Sequence, residues 1–136
     1  MRRSGGRARR RGGTLVEGAL VFLVFGVLIA GVMEVGIVGF ASSAVTFAAH
    51  RAARFASLRG SSSGRAASVS DVQASATGYA TPLNPANLTV SVTWAPDNNP
   101  GSSVQVTVAY DLRPSVLPLS ARILTLQSTA RQRIAQ

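Results

Sequence analysis

The chain has no cysteine and no lysine, only five acidic residues and a single histidine. Without cysteine there is no disulfide, no thiol nucleophile and no sulfur ligand for a metal. The one histidine, His50, has no acid or cysteine at ligand spacing beside it, so neither a metal site nor a Ser–His–Asp arrangement has a local signature. Glu17, Glu34, Asp71, Asp97 and Asp111 are scattered, and no motif pairs two of them for acid–base work. No phosphate-cradling glycine pattern precedes a helix. The expectation is a protein that is not an enzyme, with no catalytic residue, no cofactor and no metal.

All 14 basic residues are arginine, and the net charge is +9. Arg2, Arg3, Arg7, Arg9, Arg10 and Arg11 crowd into residues 1–12, which hold no acid; the rest of the chain carries +3. So basic a chain ordinarily raises nucleic acid as a partner. Here the charge lies in a short Gly, Arg and Ser tail for which disorder is expected, and no nucleic-acid partner is expected from it. Arginine beside a first apolar segment holds that end in the cytoplasm and sends the downstream part across. Arg51, Arg54 and Arg59 flank the other side, but three arginines in nine residues stand against six in twelve, and the first flank dominates.

What the sequence does have is a long apolar run. From Gly18 to Ala41 the only charged side chain is Glu34. At ~1.5 Å per residue this run reaches about 36 Å as a helix, enough to cross a hydrocarbon layer of ~30 Å once. It shows no polar face, and a chain of 136 residues offers no large core to surround it. A single membrane span over residues 13–41 is expected, with the N-terminus cytoplasmic and the C-terminus outside.

Ahead of the run stands Thr14-Leu15-Val16-Glu17, which admits two readings. One is a capping box, Thr14 and Glu17 satisfying each other's amides at a helix start. The other is a processing site of the class III signal type: a basic leader ending in glycine, a cut, and a glutamate fifth in the mature chain. With Gly12 last in the leader, Gly13 becomes the first residue and Glu17 the fifth; the adjoining glycines leave the cut open by one position. A free amine at the helix start would give the Glu17 carboxylate a partner on its own or a neighbouring helix. Glu34, about 25 Å further along, falls towards the outer boundary of the bilayer, where it reaches headgroups or a basic group of another subunit.

Beyond the span, residues 42–59 predict an amphipathic extension. Val45, Ala48, Ala52, Phe55 and Ala56 share one side; His50, Arg51, Arg54 and Ser57 take the other. Arg51 and Arg54 are candidates for interface or headgroup contact. Gly60 to Gly64 form a flexible break, and a short helix follows over 65–78 with Val69, Val72, Ala76 and Tyr79 on one face. Residues 88–94 and 104–110 alternate apolar and polar as strands, joined by the turn-rich residues 95–103. Residues 111–121, with two prolines, form a connection, and a third strand is expected from about Arg122 to Ile134. The fold class is α+β: a long helix, a short helix and a small antiparallel sheet, in which residues 60–136 form an extracytoplasmic domain. The sheet is expected to cover helix 42–59 or helix 65–78.

Three stretches together resemble the TadE-like pseudopilins (minor pilins) of tight-adherence, or Flp, pilus systems, relatives of type IV pilins. They are the junction and helix from Gly12 to Leu28; Met33-Glu34-Val35-Gly36 running on to Ala48 through Ala56; and Val106 to Tyr110 with Arg113-Pro114 and Leu124 to Ala130. Gly18 departs from the aromatic that such pseudopilins often carry after the glutamate. The resemblance implies a single-pass bacterial membrane protein trimmed by a prepilin-type leader peptidase. It further implies partnership with the bilayer, with other pilins or pseudopilins and with pilus-assembly machinery. The alternative is an unprocessed, signal-anchored membrane protein with an extracytoplasmic binding domain. Secretion after an ordinary cut near Ala41 or Ala44 ranks lower, since the apolar run exceeds a removable signal's ~7–15 residues.

Overall fold

The computed structural model describes residues 8–113 and 123–135, and side chains from Gly13 onward within that range. One helix, α1 (Ala8–Ser57), takes 50 residues. No proline occurs before Pro82, so nothing interrupts its hydrogen-bond ladder, which runs for about 75 Å. Its two halves differ. Leu15, Phe22 and Val32 are each at least 70% exposed, and the most apolar window of the helix has none of its residues buried. From Ala41 onward the helix has a buried side: Ala41, Val45, Ala48, Ala49, Ala52, Ala53 and Ala56.

Those seven residues recur at three and four, and all but one are alanine. Such small side chains let the sheet come close. The sheet is an antiparallel meander of β1 (Leu88–Ala95), β2 (Ser103–Leu112) and β3 (Leu124–Arg133) in the order β1-β2-β3. Val90 sits opposite Val108, Val92 opposite Val106, and Val106 opposite Ala130. Alternation therefore puts Val104, Val106, Val108 and Tyr110 into the core and leaves Gln105 and Asp111 outside. α1 covers β2 and β3, while α2 (Val69–Tyr79) packs on α1 and on β1. Both helices thus cover the sheet, where either alone was expected to.

Several local expectations are corrected. Ala8 to Gly12 are helical, not disordered; Met1 to Arg7 lie outside the described residues. The helix starts six residues ahead of Thr14, so Thr14 and Glu17 are interior and do not form an N-cap. Gly60 to Gly64 are not a loose break. Ser61 to Ser63 make one tight helical turn, Ser61 N–H donates to the Asn98 carbonyl at 2.8 Å, and Gly64 closes the turn at φ +70°. Ser57 is buried rather than outward, because its carbonyl accepts from Ala135 N–H at 3.0 Å.

The second helix begins at Val69, four residues later than expected, because Ser68 caps it. The Ser68 hydroxyl accepts from Asp71 N–H and the Asp71 carboxylate accepts from Ser68 N–H, two otherwise orphaned donors satisfied reciprocally. Of its expected inner face Val72 and Ala76 are buried, while Val69 and Tyr79 are more than 40% exposed. Asp111 and Leu112 extend β2 instead of opening a connection. Residues 114–121 of that connection and Arg122 lie outside the described residues.

The close helix–sheet approach yields a prediction. Ala52 has no exposed surface and faces a filled core. Ala52→Leu is expected to destabilise the head by about 1–3 kcal/mol through overpacking, read by denaturant unfolding in detergent. His50→Leu, on the exposed side, is expected to fall within about 0.5 kcal/mol of the parent.

Candidate functional site

The apolar helix and the charged residues along it form the candidate site. Gly12 and Gly13 both lie inside α1, in its first two turns. Gly13 and Glu17 are exposed, and a Cβ built on Gly13, Gly18, Gly26, Gly31, Gly36 or Gly39 would meet nothing within 4 Å. This half of α1 is therefore bare helix surface. Glu34 is half-buried and stands on the same side as Val38 and Ala41, the first residues to meet the head's core. It marks the place where bare helix gives way to covered helix.

Arg51 and Arg54 are exposed, as is His50. The Arg51 guanidinium lies 5.1 Å from the centre of the Phe47 ring, and Phe47 meets Tyr79 of α2 edge to face at 6.1 Å. Arg59 repeats the arrangement over Phe55 at 4.3 Å. Both pairs stand four residues apart; for Phe47 and Arg51 this is the spacing that brings side chains together on a helix, and Arg59 reaches back to Phe55 from just past the end of α1. The sequence offers Arg51 as a candidate for interface or headgroup contact and Arg59 as a flanking charge, and neither expectation included a ring. Arg54 has no such ring; its carbonyl accepts from Leu58 N–H and from the Ser57 hydroxyl.

At the far end, the 95–103 loop is organised by Asp97. Its carboxylate accepts from Asn99 N–H at 3.0 Å and from the Ser102 hydroxyl. The Ser102 bond, with the Asn99 amide, holds the Asp97 carboxyl below the usual carboxylate range; the Ser68 hydroxyl and amide do the same for Asp71. Both carboxylates are structural, each fixing a cap or a turn. Among the described residues no three of His, Cys, Asp and Glu come together as metal ligands.

Residues 12–54 match the family model described as TadE-like protein. That stretch is similar to TadE-like proteins. No curated protein and no solved structure matches the chain. The TadE-like stretch contains Gly12, Gly13, Glu17, Glu34, Arg51 and Arg54, every position singled out from the sequence. It ends on the head-covered part of α1, and the closing strands that also carried the resemblance lie beyond it. The helix that carries this stretch is long and apolar enough to cross a bilayer once.

The two carboxylates set the expected response to acid. Their folded values are lowered, so the stability they contribute is present above the unfolded value near ~4 and is lost as pH falls through it towards the folded values. The melting temperature of the head is expected to drop between pH 5 and 3. The double variant Asp71→Asn/Asp97→Asn should show a flatter profile over that window, by circular dichroism in detergent.

Proposed function

We propose that the protein is a pseudopilin or minor pilin of a tight-adherence (Flp) pilus system. In this reading it is inserted through α1 with its N-terminus cytoplasmic, trimmed after Gly12 by a prepilin-type leader peptidase, and passed from lipid into a helix-packed assembly. It does no chemistry of its own and holds no cofactor. The observation that carries the reading is the continuity of α1: one helix, similar to TadE-like proteins over residues 12–54, is bare and apolar from Gly18 to Met33 and becomes the spine of a folded head from Ala41 onward. A bare apolar helix exchanges lipid for similar helices without exposing its surface to water, and its glycines allow backbones to approach. After trimming, the new amine at Gly13 neutralises a Glu17 carboxylate, its own or a neighbour's, and so fixes axial register.

A second reading, the unprocessed membrane anchor, draws on one feature. The helix already runs through Gly12 and Gly13, and a peptidase acts on locally opened chain, so trimming requires the first turns to unwind. The N-terminal residue of protein from its own membrane separates the two. Gly13 is expected at the start under the pilin reading, and Met1 or Arg2 under the anchor reading. Gly12→Trp should retain the leader and run larger on a gel by about a dozen residues; unchanged size would count against trimming there.

A further inference from the structure

The sheet has two edges, and they are treated differently. Ile134 N–H donates to the Ser102 carbonyl and Ala135 N–H to the Ser57 carbonyl of α1. Backbone groups alternate in direction along a strand, so even-numbered residues of β3 pair with β2 and odd-numbered ones face away. By the same alternation the even residues of β1 face its outer edge. There the Val90 carbonyl accepts from the Gln73 side chain at 3.0 Å and Leu88 N–H donates to the Pro85 carbonyl. The amides of Thr125, Gln127, Thr129, Arg131 and Arg133 find no such partner among the described residues, and all five side chains are exposed.

The side chains of those five residues share the outer face of the sheet, and the last two are arginine. The Arg131 guanidinium donates to the Ser103 hydroxyl at 2.9 and 3.2 Å, and that of Arg133 to the Gly101 carbonyl at 3.2 Å. Two cations side by side are thus fixed by neutral oxygens, and neither meets a carboxylate among the described residues. Each keeps donors for an acid approaching along the edge.

We propose that the β3 edge takes an extended acidic segment of a different protein as a fourth strand. The segment's backbone pairs with residues 125–133, and carboxylates two residues apart on it meet Arg131 and Arg133. A second copy of this chain does not supply such a segment, because no two of its five acids are closer than Asp97 and Asp111, 14 residues apart. Nor does the bilayer around α1: the Asn98 and Ala135 bonds to Ser61 and Ser57 put this edge's arginine end at the finish of α1, about 24 Å beyond Ala41. The proposal depends neither on trimming of the leader nor on assembly of the apolar helix.

The test uses the full chain in detergent micelles and two ten-residue peptides, one alternating threonine with glutamate and one alternating threonine with lysine. The glutamate peptide is expected to bind at least tenfold more tightly. It should slow hydrogen exchange at the amides of 125, 127, 129, 131 and 133 and leave Val92 and Trp94 unchanged. Arg131→Glu/Arg133→Glu, at exposed positions, should reverse the preference between the peptides. Binding that protects none of the five amides, a preference unmoved by the charge swap, or equal binding of both peptides would overturn it; the last would mean that the arginines only guard the edge.

Discussion

A peptide backbone in hydrocarbon must satisfy its own hydrogen bonds, and an alanine-faced helix against a sheet must lie close enough to leave no gap. α1 meets both conditions with one uninterrupted ladder. Because no residue between Ala8 and Ser57 breaks that ladder, the orientation of the bare half is fixed relative to the covered half. The head does not dangle from an anchor; it is built on the anchor's own continuation. The sheet, the second helix and the tight turn at Ser61 are all positioned by residues on α1 or by bonds to its end.

Much of this was legible because the signals were periodic. The apolar run, the alternation in 88–94 and 104–110, and the alanines at three and four carry structure in spacing alone. What misled were contacts that span distance in sequence. Ser57 looks polar and outward until Ala135 donates to its carbonyl, and Gly60 to Gly64 look slack until Asn98 accepts from Ser61. Val69 and Tyr79 fall on the right helical face but at its ends, where the core has run out. The capping box was found by its pattern at Thr14, whereas the one that forms is at Ser68, where Asp71 stands at the same offset.

The charged positions were easier to name than to interpret. Glu34 is the clearest gain, since the structure sets it one turn before the first head contact at Val38. Arg51 and Arg59 carry charge in the sequence, yet each lies on an aromatic ring of α1, Arg51 from within that helix and Arg59 from just past its end. Arg131 and Arg133 drew no notice, because a strand's free edge is defined by which neighbour is missing, and a linear sequence does not state that.

The tie between the end of α1 and the end of the sheet has a mechanical meaning. Ala135 to Ser57 and Ser61 to Asn98 join the tip of the rod to one end of the meander, where Ala95, Ser103 and Arg133 stand in a row. Tension applied to the head along the rod's axis is shared between these fastenings and the whole alanine seam, loaded in shear. Fastened there, the head resists peeling from the rod's tip.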